Sequence, residues 1–181
     1  MIRRLLSCLV MAAFVAGAWA QTAVPPSQAL IYYAGQPGRL TQDRDRLGGN
    51  PFASAVVEVL GKRPATLTEF TERLAAANAR HSGGWQQLQF PKKLPKWKMD
   101  QSAGEKRVAL VLINSDYSKS PGVYSLPGAA FDAKRIPEAL RAAGFETTLV
   151  FDANAHAARK AMADFAVVSE GAEASVVYVG G

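Results

Sequence analysis

The sequence predicts an α/β protein built on a mainly parallel sheet. Three observations carry this. Residues 106–181 alternate apolar strands with amphipathic helices in the order β-α-β-α-β, the pattern of right-handed crossovers in a parallel sheet. The first strand, Arg107 to Ile113, is a continuous apolar run, as expected of a strand covered on both faces. The helices between the strands carry their own punctuation, Gly144 after the first and Asn154 before the second, residues suited to a helix stop and an N-cap.

In chain order, Ala29 to Ala34 reads as a short buried strand stopped by Gly35, Pro37 and Gly38, the usual breakers. Thr41 to Gly49 is polar and glycine-ended, hence a loop. Asn50 caps a helix with Pro51 at its first position, followed by Phe52, Val56, Val59 and Leu60 at helical spacing, with Gly61 as its stop. Thr66-Leu67-Thr68-Glu69 has the form of a capping box and opens a second helix with the stripe Leu67, Phe70, Leu74 and Ala77. Residues 91–105 combine proline, lysine and a Ser-Ala-Gly turn and read as a basic linker. After the strand at 107–113 comes a Ser/Pro/Gly-rich loop, Asn114 to Gly128. A helix over about Ala130 to Ala143 contains Pro137, which predicts a kink or a late start. Glu146 to Phe151 is the second strand. The helix after Asn154 has the stripe Ala158, Met162, Phe165 and Val168, and Ala174 to Val179 is the third strand. The organisation is therefore 1–20 leader, 21–90 first module, 91–105 linker and 106–181 second module.

The leader has Arg3 and Arg4 ahead of the apolar run Leu5 to Ala18, and Ala18-Trp19-Ala20 fits a small-x-small cleavage pattern. This predicts an exported protein, periplasmic or secreted, with its mature start near Gln21. The run is short for a span of about 20 residues, so no stable membrane span is expected after cleavage. From a formal charge of +6, loss of Arg3 and Arg4 leaves +4. Much of the excess lies in Lys92-Lys93-Leu94-Pro95-Lys96-Trp97-Lys98, read as a solvated linker or, less simply, an anionic-surface contact. No nucleic-acid partner is expected. The one cysteine, Cys8, leaves with the leader, so the mature chain is expected to hold no disulfide, thiolate metal site or cysteine nucleophile.

No HExxH, CxxC or paired-histidine spacing occurs, so no metal and no cofactor are expected. His156 falls off the apolar stripe of its helix, and His81 sits at the end of another. Asp132, near the start of the helix after the first long strand, is either a carboxylate favouring the helix dipole or a ligand-facing acid. Ligand sites in such sheets lie beyond the carboxyl ends of the strands, here Asn114 to Tyr117, Asp152 and Gly180-Gly181.

Arg107-Val108-Ala109-Leu110-Val111-Leu112-Ile113-Asn114-Ser115-Asp116-Tyr117, Leu126-Pro127-Gly128-Ala129, Asp132-Ala133 and Ala143-Gly144-Phe145 resemble the opening of a caspase-like domain, nearest the bacterial and metacaspase-related branch of that cysteine-peptidase clan. Residues 29–38, Asn50-Pro51-Phe52 and Gly83-Gly84-Trp85 are similar to the small-subunit part of the same family, placed before rather than after. The resemblance implies a partial caspase-like three-layer sandwich with a mainly parallel sheet, truncated after the third strand of the second module. It also implies an acidic pocket in which Asp132 reads a basic side chain. Ala129 and Phe131 replace polar residues common in that pocket. The family's catalytic His-Gly would follow Tyr178-Val179-Gly180-Gly181, and its cysteine-bearing strand is missing. The expectation is therefore no catalytic residue and no cysteine-endopeptidase activity in this chain alone. The alternative is an exported, non-enzymatic binding module. It would pair with a protein or peptide partner along the exposed edge Ala174 to Val179.

Overall fold

The computed structural model describes residues 29–181; the leader and the extended lead-in at 24–28 lie outside them. Four helices and three strands follow in the order α1 (Pro51–Gly61), α2 (Leu67–His81), β1 (Arg107–Ile113), α3 (Pro127–Ala142), β2 (Glu146–Phe151), α4 (Ala155–Val168) and β3 (Ala174–Gly180). The strands form one sheet in the order β2-β1-β3. Both pairings are parallel, with Val108 beside Glu146 and Arg107 beside Ala174. The predicted α/β class and its parallel sheet are what the chain adopts.

The helix signals act as read. Asn50 Oδ1 accepts the Phe52 N–H at 2.8 Å, and Pro51 occupies the first turn. Thr66 Oγ1 accepts from Glu69 N at 3.1 Å, while the Glu69 carboxylate reaches back to Ala65 N at 2.7 Å. The box thus closes one residue earlier than its usual form. Asn154 Oδ1 caps α4 through Ala157 N at 2.9 Å.

The core lies on one face of the sheet. Ala109, Val111 and Ile113 of β1 pack with Ile136 and Leu140 of α3 and with Val56 and Val59 of α1. The alternate residues Val108 and Leu110 are also buried, on the opposite face, as strand geometry requires. Among the described residues β1, being central, is the only strand buried on both faces.

Four expectations are corrected. Ala29 to Ala34 is not a buried strand: it makes a single antiparallel bridge, Tyr33 to Gln89, and Ile31 and Tyr33 are 53% and 60% exposed. Tyr32 packs against the core, its hydroxyl 2.8 Å from Thr71 Oγ1; the segment pairs with Gln89 and not with the sheet, whose β3 edge stays open. The α4 stripe is not buried either: no α4 residue is, and Met162 and Val168 are 44% and 45% exposed. A sheet three strands wide gives this helix little to lie on. The helix α3 starts at Pro127 rather than near Ala130 and runs through Pro137, which is buried; the proline gives up one helical bond without ending the helix. Finally, the linker is not free at its end. Leu67 N donates to Trp97 O (3.0 Å) and Met99 N to Ala65 O (2.9 Å). The Arg107 guanidinium then binds the Met99 and Asp100 carbonyls at 2.7 and 2.9 Å and lies over the Trp97 ring.

The two modules meet where α1 crosses α3. α3 has no cap of its own, since Leu126 offers no acceptor side chain. Asp43 supplies it from the distant 41–49 loop, accepting from Gly128 N at 3.1 Å and Ala129 N at 3.3 Å. A Cβ on Gly128 would run into the Asp43 backbone carbonyl. Asp43→Ala is therefore expected to cost about 1 kcal/mol, the usual loss for an N-cap, with Asp43→Asn recovering most of it. Gly128→Ala should cost more, since backbone must shift. Urea denaturation of the three variants checks the order.

Candidate functional site

The carboxyl ends of the strands are tied together before any side chain reaches solvent. Asn114 N donates to Gly180 O, and Asp152 N to Ile113 O, each at 2.9 Å. Asp152 sits at φ 48°, a left-handed conformation that aspartate tolerates better than most residues. Its carboxylate accepts the Ser115 and Asp116 N–H groups at 2.6 and 2.9 Å and the Ser115 hydroxyl at 3.1 Å. Burial pushes this carboxyl up, but the N–H donors outweigh it and hold it below the ordinary range. The first strand-end loop is thus fixed by an acid on the second strand's end.

Beside these ends lies a cleft of about 260 Å³ whose walls include Asp43, Asn50, Phe52, Asp132, Tyr178 and Gly180. It draws on both modules. Tyr178 stacks on Phe52, centroids 6.2 Å apart and rings 11° from parallel. Burial raises the Tyr178 phenol above its usual value, so it stays protonated. Asp132 is 2% exposed. Its Oδ1 takes Arg135 Nη2 at 2.5 Å, and its Oδ2 takes the Asn50 N–H at 3.0 Å. Burial pushes its carboxyl up, against the pull of Arg135 and of the Asn50 N–H. The same guanidinium donates to Ser54 Oγ at 3.1 Å. A Cβ on Gly49 would collide with both Asp132 and Arg135, so the close approach of these charges to the backbone needs glycine there.

Sequence reasoning named Asp132 and missed its surroundings. Asp43 and Asn50 come from one distant loop region and Arg135 from the helix that carries Asp132. Only the i, i+3 spacing of Asp132 and Arg135 could have signalled a pair. The histidines lie elsewhere. His156 is exposed on α4. His81, at the end of α2, stands between Asp45 (Nδ1 to Oδ2, 3.2 Å) and Glu58 (Nε2 to Oε2, 2.9 Å). Glu58 also binds Lys62 and Arg80. Among the described residues no cluster of His, Cys, Asp and Glu suited to a metal ion occurs, and no helix is long and apolar enough to cross a membrane.

The geometry defines a class: a parallel α/β unit with a small acidic cleft at its strand ends, completed by a preceding helical module. Residues 106–180, which hold all three strands together with α3 and α4, match the family model described as the caspase domain. This stretch is caspase-like, and the resemblance read from residues 107–145 is upheld; the small-subunit likeness of the first module lies outside the match. No curated protein and no solved structure matches the chain.

Removing the Asp132 carboxylate leaves Arg135 without its anion and the Asn50 N–H without an acceptor. Asp132→Ala is expected to cost about 3 kcal/mol in chemical denaturation, and Asp132→Asn less. A pH series should also find Glu58. The hydrogen bond from Lys62, then those from His81 and the charge of Arg80, hold it down to about 2 against burial. Its folded value is depressed, so its stabilisation is present above the unfolded value near 4.5 and lost as pH falls toward about 2. Glu58→Gln should flatten that acid limb.

Proposed function

We propose that this polypeptide uses a caspase-like scaffold to hold peptides bearing a basic side chain and does not cleave them. The observation that carries the reading is the cleft of Asp43 and Asp132 at the strand ends. Asp132 is paired with Arg135, whereas Asp43 has only the longer, exposed Arg44 contact at 3.7 Å, which a guanidinium or ammonium guest in the cleft can displace. The family resemblance implies that same substrate-reading role for Asp132 and supports this reading. Cysteine-peptidase chemistry needs a thiol and an imidazole that takes its proton. Cys8 is the only cysteine of these 181 residues, and the cleft is not lined by either histidine. The leader-like residues 1–20 support an exported polypeptide.

The test has two arms. Purified polypeptide should give no turnover of Arg- or Lys-containing fluorogenic peptides and no covalent adduct with peptide-like electrophiles; an adduct blocked by competing substrate overturns the inactive reading. In calorimetric titration an arginine-containing peptide should bind and its citrulline counterpart should not. Equal binding of the two would remove the acidic-cleft reading.

A second reading rests on β3. It is an edge strand, and Val177 and Val179 on its outer face are 43% and 71% exposed. A partner strand added along Ala174 to Val179 would satisfy its open backbone groups.

A further inference from the structure

The segment Phe90-Pro91-Lys92-Lys93-Leu94-Pro95-Lys96-Trp97-Lys98 holds four lysines and no acid. All four lysines are exposed. None has a carboxylate within ion-pair distance among the described residues. Elsewhere in the first module Lys62 and Arg80 are paired with Glu58, Arg73 with Glu69 and Arg44 with Asp43, while the unpaired Arg39, Arg46 and Arg63 are scattered rather than consecutive. The far end of the strip, Lys96 to Lys98, is also held in place. The backbone around Trp97 pairs with residues 65–67, bridging Thr66 and Lys98, and Trp97 is turned in against Arg107 at 5.0 Å. Side chains alternate along extended backbone, so Lys96 and Lys98 project the opposite way, into solvent.

An apolar surface adjoins this strip. Ile31, Tyr33, Phe90 and Pro91 line a shallow groove of about 300 Å³, and Phe90 is 43% exposed although it stacks on Tyr32 from behind. Phe90 and Pro91 lead directly into Lys92. The combination narrows the partner. Lysines alone suit any polyanion, and an exposed apolar groove alone suits a protein. A fixed aromatic and aliphatic patch bordered by unpaired ammonium groups suits the boundary between phosphate headgroups and acyl chains. Ammonium groups act there as point charges and need no bidentate pocket.

We propose that the Ile31–Tyr33–Phe90 patch and the Lys92–Lys98 strip together dock the molecule on an anionic phospholipid surface. The proposal is independent of what the strand-end cleft binds.

The test is co-sedimentation of the chain from Gln21 onward, which contains every element of the fold, so that the apolar leader cannot itself enter lipid. Binding is expected to phosphatidylglycerol-rich vesicles and not to pure phosphatidylcholine. Lys92→Gln, Lys93→Gln, Lys96→Gln and Lys98→Gln combined should lower partitioning by up to roughly a thousandfold. A control that removes the same charge elsewhere, Arg46→Gln with Lys119→Gln, Lys134→Gln and Arg159→Gln, should lower it far less. Ile31→Ser with Phe90→Ser should weaken binding about tenfold at unchanged charge. Equal losses in the two charge variants would mean general basicity and overturn the proposal. So would an unchanged Ile31/Phe90 variant, or capture on heparin or DNA with none on vesicles.

Discussion

Asp132 is a buried carboxylate, and the placing of the two halves of the molecule follows from how it is neutralised. A charge removed from water must be paired and hydrogen-bonded or it will not stay charged. α3 supplies only part of this, through Arg135 one turn on. The rest comes from the first module: the Asn50 N–H donates to Asp132, and Ser54 Oγ accepts from Arg135. Asn50 is also the N-cap of α1. One residue therefore fixes the start of α1 and, through its own N–H, the distance of α1 from α3. Asp43 acts in the reverse direction, closing the uncapped start of α3 from the same loop region. With both links in place, Val56 and Val59 meet Ile136 and Leu140 in one core.

The opposite face of the sheet has no such support. β1 is covered there by α4, but β2 and β3 each have one open edge. On β3, Ala174, Val176 and Tyr178 lie toward the core while Ser175, Val177 and Val179 lie toward solvent. An apolar face of this kind is a hazard in isolation and an opportunity for association. The lack of buried residues in α4 follows from the same geometry. Its Met162, Phe165 and Val168 have the spacing of a core stripe, but the sheet beneath is too narrow to cover them.

Periodicity and punctuation made the helices and strands legible, because each depends on residues within a few positions. Asn50-Pro51, Thr66 to Glu69, Asn154 and the run Arg107 to Ile113 all act locally. Contacts between distant stretches were not legible. Nothing in the polar 41–49 loop marks Asp43 as the cap of a helix 85 residues later. Nor does Trp97 announce that it will lie on Arg107. The strand expected at Ala29 to Ala34 failed for a related reason: an apolar run becomes a buried strand only if a sheet edge accepts it, and no local pattern tells whether one does. Of the site, Asp132 was readable as an acid at a strand-end helix, whereas the guanidinium and N–H that engage it were not.

This engagement bears on what the cleft can do. The oxygens of Asp132 are divided between Arg135 and Asn50, and those of Asp43 between the first two free N–H groups of α3. A general base must be free to take a proton from a reacting group within hydrogen-bond reach. Carboxylates already occupied by fixed donors meet that condition poorly, but they still project negative charge into a partly desolvated space, where it acts strongly on a cationic guest. Burial of Tyr178 keeps its phenol neutral, so it adds a polar wall without a second charge of either sign. Under the proposed function, such a pocket holds a basic side chain through fixed charge rather than through proton exchange. Turning it over would require a nucleophile and a proton acceptor brought to the same strand ends.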